Sequence, residues 1–169
     1  MGKHSNFERK KRDYYPTIDP RAGEKIKPFV VGDFIEPCAG AGDLIGQLGG
    51  IGLKCTYACD IEPQSDGIEK QDVLFFGFKL PPCNQIITNP PYEFKALSPM
   101  IDKFSEHAPT WLLLPASFAF KSESRRHMAR CSHFVNIGRM YWEVNKVRGM
   151  EDYAWFRFVN CKCPTVFFA

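Results

Sequence analysis

Along the chain, short apolar runs alternate with segments of helical character, the pattern of a sheet connected by crossover helices. The runs predict strands at Asp33–Cys38, Lys54–Asp60, Asp72–Phe75, Gln85–Thr88, Trp111–Pro115 and Phe134–Met140. The segments between them predict helices over Asp43–Leu48, Phe94–His107 and Lys121–Arg130. Near the C-terminus, YAWFRFVN and PTVFFA flank Cys161 and Cys163 and read as two antiparallel strands joined by a tight turn. The expected architecture is α/β: a Rossmann-like, mostly parallel sheet with an antiparallel C-terminal hairpin and helices on both faces. Residues 1–27 are polar and charged and include Lys10-Lys11-Arg12. They read as a basic arm laid over one domain spanning 28–169, or as a partly disordered terminus.

Composition narrows the class without naming it. With 169 residues, 44% hydrophobic and 14% aromatic, the chain suits one globular domain with a sizeable core. A net charge of +3 and a pI near 8.4 are only mildly basic, below what identifies a nucleic-acid binder on its own. The sequence offers no apolar run of about 20 residues for a membrane span and no secretory leader in MGKHSNFERKKRD, so a soluble, cytoplasmic protein is expected. Seven cysteines, mostly single and without C-x-x-C knuckles, read as reduced thiols, and no metal is expected.

Chemistry concentrates at the strand ends. In FIEPCAGAGDL, a strand closes at Glu36, glycines follow at Gly40 and Gly42, and a helix opens near Asp43, so backbone can approach a ligand at the sheet edge. Taken alone, G-x-G is equally a turn that needs positive φ. The second strand ends in YACDIEP, placing Asp60 after the glycines at about the interval of roughly 20 residues where ribose-binding carboxylates stand in nucleotide folds. In QDVLFF, Asp72 is suited to accept from an adenine amino group while Val73 or Leu74 packs on the ring. The fourth strand runs into IITNPPYEF. Pro90 and Pro91 have fixed φ and no amide hydrogen, which holds the chain in a rigid bend with its carbonyls directed outward. The Asn89 side-chain oxygen and a rigid carbonyl can then accept both hydrogens of one exocyclic NH2 group, with Tyr92 offering a stacking face. Phe94 either supports that stack or packs in the core from the first turn of the following helix.

On EPCAGAGD, NPPY and LLLPASFAFKSESRR, and over most of the chain from YYPTIDP to DYAWFRF, the sequence resembles the class I S-adenosylmethionine-dependent amino-methyltransferases, in particular the phage-type DNA adenine-N6 methyltransferases. The resemblance implies that Glu36, Ala39, Gly40 and Gly42 surround the methionine part of S-adenosyl-L-methionine. It likewise implies that Asp60 holds the ribose, that Asp72 with Val73 reads the adenine, and that Tyr15 and Thr17 close over the methionine carboxylate. Asn89, Pro90 and Tyr92 would hold the target base, with Asn89 also bordering the cofactor. The implied reaction is methyl transfer to N6 of an adenine flipped out of DNA, in the host cytoplasm if the protein is phage-encoded.

Candidate phosphate contacts are Arg125 and Arg126 on the helix after the fifth strand, with Arg130 beside them, and Lys146 and Arg148 in EVNKVRGMED. Each cluster is also readable as a solvated charged face. His107 and His127 read as surface or helix-end residues. No segment is assigned to a separate target-recognition domain, so a short or relaxed recognition site is expected, or a partner that supplies the reading; a homodimer is one way to extend the footprint. RNA adenine methylation is the leading alternative, followed by protein glutamine or cytosine-N4 methylation and by a non-catalytic partner subunit.

Overall fold

The computed structural model describes residues 15–145 and 147–169. One eight-stranded sheet organises it, in the order β3-β2-β1-β4-β5-β7-β6-β8. Its strands are β1 (Asp33–Glu36), β2 (Lys54–Asp60), β3 (Glu69–Lys70), β4 (Ile86–Thr88), β5 (Thr110–Pro115), β6 (Cys131–Tyr141), β7 (Arg148–Phe158) and β8 (Val166–Phe168). From β3 to β5 all neighbours are parallel, β7 lies antiparallel between β5 and β6, and β8 runs parallel to β6. This is the expected mostly parallel Rossmann-like sheet with one antiparallel hairpin.

The central strands are buried on both faces, so successive residues feed two separate cores. Ile35, Ile86, Leu112, Leu114 and Phe156 pack under helix α3 (Phe94–His107) with its Leu97, Ile101 and Phe104. Their strand neighbours Phe34, Ile87, Trp111, Leu113 and Trp155 pack on the opposite face. There they meet α1 (Arg21–Ile26), through Ala22 and Ile26, and α2 (Asp43–Gly50), through Leu44 and Leu48. The buried Trp155 indole donates to the Ala22 carbonyl at 2.9 Å, which satisfies its one polar atom and fixes α1 to the sheet.

Three sequence expectations change. The antiparallel hairpin is formed by β6 and β7; PTVFFA does not turn back on YAWFRFVN but crosses to pair with β6, His133 opposite Val166. Cys161–Cys163 therefore belongs to a crossing loop, in which the Cys163 amide donates to Ala129 O at 3.1 Å. Residues Asp72–Phe75 form a turn, because the Asp72 carboxylate captures the Leu74 amide at 2.8 Å and Phe75 N bonds back to Asp72 O at 3.0 Å. Local side-chain acceptors of this kind divert backbone from a sheet ladder, and the strand forms just upstream at Glu69–Lys70. Third, Lys121–Arg130 is a broken helix whose regular part, α4, is only Arg125–Met128, preceded by two 3-10 turns. Helix α1 falls within the segment expected to be an arm; the run Lys10-Lys11-Arg12 lies outside the described residues.

Candidate functional site

The C-terminal ends of β1, β2 and β4, the turn after β3 and the segment Tyr15–Thr17 surround one cavity of about 510 Å³. Open parallel sheets place their ligands at this edge. At the end of β1, the chain turns through Ala39 and Gly40 into α2, with Gly42 at the helix N-cap at φ 88°, a left-handed conformation that favours glycine. The Gly42 amide closes the turn on Ala39 O at 2.7 Å. Gly42 itself is not among the lining residues; it shapes the loop that Ala39, Gly40 and Ala41 present.

Asp60 pins that loop. Its two carboxylate oxygens accept from the Gly40 amide and the Glu62 amide, each at 2.8 Å, so the end of β2 and the glycine turn hold a fixed distance. Asp72 caps its own turn and lines the cavity with Val73, which is almost fully buried. Glu36 differs from both. It is 1% exposed, and its Oε2 is buried with no hydrogen-bond partner among the described residues. Burial first, and then the carboxylates of Asp60 and Asp43, push its pKa well above the ordinary carboxylate range. A buried acid with an unused oxygen, backed by two more carboxylates, is a receptor for a cationic group.

At the end of β4, Asn89 is held by three partners. Its Nδ2 donates to Tyr15 O at 3.2 Å and to Thr17 Oγ1 at 3.1 Å, and its Oδ1 accepts the Tyr92 hydroxyl at 2.7 Å. The Tyr15 and Tyr92 rings are parallel within 9° with centroids 6.4 Å apart. Behind them, Trp142 and Tyr153 extend an aromatic group, Trp142 edge to face against Tyr15 and Tyr153, and Tyr153 tilted against Tyr92.

The expected site residues Tyr15, Thr17, Glu36, Ala39, Gly40, Asp60, Asp72, Val73, Asn89, Pro90 and Tyr92 thus line a single cavity. Phe94 does not; it packs edge-on to His127 at the start of α3, the core alternative stated for it. Sequence reasoning missed Glu62, Gln64, Gln71 and Met100 in the lining. Glu62 follows the end of β2 in a bend held by its amide on the Asp60 carboxylate, and an aspartate that captures the amide two residues ahead was the available signal; the hydrogen bond from Gln64 N to Gly40 O had none.

The cationic residues lie elsewhere. Arg125 and Arg148 are exposed, while Arg126 and Arg130 both converge on Asp102, Arg126 at 2.7 Å. Lys146 lies outside the described residues. His127, expected at the surface or a helix end, stands in the last turn of α4 and is fully buried, because Ser98, Asp102 and Phe94 close over it. All seven cysteines are free thiols. Among the described residues, no helix is long and apolar enough to cross a membrane, and no three His, Cys, Asp or Glu side chains converge as a metal-ligand set.

The same fold occurs in solved methyltransferases. A class I S-adenosylmethionine-dependent methyltransferase of Listeria monocytogenes superposes with TM-score 0.53 at 11% identity, over 88% of this chain and 62% of that one. The methyltransferase subunit of a type I restriction-modification system from Streptococcus thermophilus gives 0.59 at 9%, over 91% and 46%. A dimethyladenosine transferase of Plasmodium falciparum gives 0.54 at 15%, over 82% and 59%. This chain spans about half to three-fifths of the length of these proteins, and at such identities the likeness is one of fold. No family model matches the sequence, and no curated protein does.

Proposed function

We propose that the protein binds S-adenosyl-L-methionine in this cavity and transfers its methyl group to the exocyclic N6 of an adenine in DNA. The observation that carries the reading is the carboxamide of Asn89. It stands in the cavity wall at the end of β4, with its amide nitrogen bonded to Tyr15 O and Thr17 Oγ1 and its oxygen accepting from Tyr92 within the NPPY bend. The names of two fold neighbours, the restriction-modification methyltransferase subunit and the dimethyladenosine transferase, support that substrate class.

Bound in the acidic half of the cavity, the cofactor supplies an electrophilic methyl group on a sulfonium centre. Glu36 offers a buried carboxyl to its positive charge, Asp60 and Asp72 offer acceptors to hydroxyl and amino groups, and Val73 offers an apolar surface. Asn89 Oδ1 and Pro90 O accept the two hydrogens of the target amine. The amine lone pair is otherwise drawn into the purine ring, and two acceptors on its hydrogens keep electron density on nitrogen and orient it. The rigid NPPY bend makes that orientation a property of the backbone, so positioning supplies most of the rate. Tyr92 and Tyr15 flank the amide acceptor and receive a base that has left its stack. Exposed Arg125 and Arg148, with Lys146, contribute phosphate contacts.

The test is transfer of labelled methyl from S-adenosylmethionine to duplex DNA, single-stranded DNA, RNA and protein in parallel, with Asn89→Ala as control and nucleoside analysis of the product. N6-methyladenine in DNA, absent with the variant, supports the reading. Label confined to RNA or protein replaces the substrate, and no label on any acceptor overturns it.

A further inference from the structure

Thr17, expected to close over a cofactor carboxylate, also meets Asn89 directly. It is 5% exposed, and its hydroxyl lies 3.1 Å from the Asn89 amide nitrogen. A carboxamide has two orientations related by a flip, and only one presents oxygen to the target amine. The surroundings select it. The Tyr15 carbonyl can only accept, so the nitrogen of Asn89 must face it. On the other side the Tyr92 phenol, whose proton is retained by burial, donates to the oxygen of Asn89 at 2.7 Å. The Thr17 hydroxyl takes the second amide hydrogen, leaving no donor of Asn89 directed at the base.

The segment that supplies these acceptors is itself fixed. The carbonyl of Thr17 accepts from Gln47 Nε2 on α2, and Gln47 Oε1 accepts the Gly23 amide of α1 at 3.0 Å. A Cβ on Gly23 would stand 3.1 Å from Gln47 Cβ and 3.2 Å from its Oε1, so the approach of the two helices depends on glycine there. A continuous path Gly23–Gln47–Thr17–Asn89 therefore joins two helices of the sheet's opposite face to the end of β4.

We propose that Thr17, held in place by Gln47, is a positioning residue that locks the Asn89 carboxamide with its oxygen toward the target amine. The inference rests on the methyl-transfer reading. Flipping the amide would set its nitrogen against the target NH2, donor against donor, and its oxygen against the Tyr15 carbonyl. The Thr17 hydroxyl can donate or accept, so it tethers the amide in the sense that the Tyr15 carbonyl selects; its loss loosens that tether, lowers the rate of the bound complex and leaves cofactor binding in place.

The experiment uses the full chain and two readouts. In 15N-labelled protein, the Asn89 side-chain amide pair, assigned by its loss in Asn89→Ser, should exchange slowly with solvent in the wild type and markedly faster in Thr17→Val, with Thr17→Ser restoring the slow rate. Single-turnover methyl transfer should fall about tenfold in Thr17→Val, with an unchanged cofactor Kd by calorimetry, and recover in Thr17→Ser. Gln47→Glu, which keeps the acceptor for Gly23 and loses the donor to Thr17, should reproduce both effects if Thr17→Val fails to fold. An Asn89 amide indifferent to both variants overturns the proposal, as does a cofactor Kd that worsens in step with the rate. The amide signal needs no turnover, so a wild-type protein without methyl transfer would sink the functional reading while the exchange data still decide whether Thr17 holds Asn89.

Discussion

Tyr92 donates its hydroxyl to Asn89 Oδ1 over 2.7 Å, three residues along one proline-stiffened bend. Pro90 and Pro91 fix φ between them, so amide and phenol are set against each other by the backbone rather than by side-chain choice. Burial, with smaller contributions from the Tyr153 and Tyr15 phenols and Glu151, holds the Tyr92 pKa well above its ordinary value. The group remains a donor at neutral pH, and it uses one of the two lone pairs of Oδ1. The other lone pair is available to the cavity.

Tyr92→Phe keeps the ring against Tyr15 and Tyr153 and removes that donor. A neutral hydrogen bond contributes roughly 1 kcal/mol, so methyl transfer should fall about fivefold, with cofactor affinity unchanged. Tyr92→Ala, which also removes the stacking face, should weaken nucleic-acid binding as well. Single-turnover rates and binding titrations on the two variants separate hydroxyl from ring, and full activity in Tyr92→Phe removes the hydroxyl from the mechanism.

The parts of this site that were legible in the sequence are those encoded within a few residues. Pro90 and Pro91 write a fixed bend, Gly42 writes a positive φ, and the acidic residues at successive strand ends fall on one edge once the strands are parallel. Contacts formed between distant segments left no local trace. Nothing near Thr17 announces that its hydroxyl will meet Asn89, and nothing in Gln47 announces the link from Gly23. The mistaken strand at Asp72–Phe75 shows the converse: an apolar run with β propensity is overruled by one carboxylate bonded two residues ahead. The C-terminal hairpin failed for a related reason, since whether consecutive strands pair directly or cross over depends on which neighbour still has an open edge, here β6.

Asp19 anchors the segment that restrains Asn89. It is fully buried and accepts from the Arg21 amide at 3.1 Å, from Arg21 Nε at 3.0 Å and from the Tyr141 amide at 3.3 Å. Burial acts to raise its pKa, and the Arg21 donors with the Tyr141 amide outweigh it, leaving the carboxyl below its ordinary value. A depressed acid contributes stability that is present above the unfolded pKa of about 3.9 and is lost as pH falls through the folded value. Asp19→Ala removes the carboxylate paired with Arg21, which keeps the Arg139 carbonyl, and should cost about 3 kcal/mol at pH 7, the low end for a broken buried pair. Urea denaturation at pH 7 and near pH 3 checks this: the gap between wild type and variant should narrow in acid.

His127 produces an acid limb in a higher range. Its pKa is pushed down to about 4, chiefly by burial, with Arg126 and Arg130 adding to the effect and Asp102 opposing it. The unfolded chain takes up a proton near pH 6.5, which the folded protein refuses until about pH 4. Stability therefore falls as pH drops from 6.5 toward 4. Ser98 Oγ accepts from Arg126 at 2.7 Å and lies 3.1 Å from His127 Nε2, while Nδ1 is buried 3.6 Å from the Asp102 carboxylate with no hydrogen-bond partner among the described residues. Melting temperatures measured between pH 7 and 4.5 should decline in the wild type and stay flatter in His127→Gln; parallel curves would contradict the buried neutral ring.

Glu36 gives the prediction in which stability and binding move in opposite directions. Its pKa is raised by burial, and then by Asp60 and Asp43, so the folded protein gives up this proton at a higher pH than the unfolded chain does. For a raised acid, the stability contribution is present at low pH and is lost as pH rises through the folded value. A cation placed against the unpartnered Oε2 favours the carboxylate and reverses that bias. Cofactor binding should therefore release a proton, measured as a buffer-dependent enthalpy in calorimetry, and affinity should strengthen as pH rises. Glu36→Gln should abolish the proton release and weaken cofactor binding by about 10- to 100-fold, the range for losing a hydrogen bond to a charged group. The same variant, free of cofactor, should be at least as stable as the wild type above neutral pH, since it no longer buries an ionising group among carboxylates. A variant that loses stability and affinity together would make Glu36 a structural acid, and the cation-binding half of the cavity would have to be placed elsewhere.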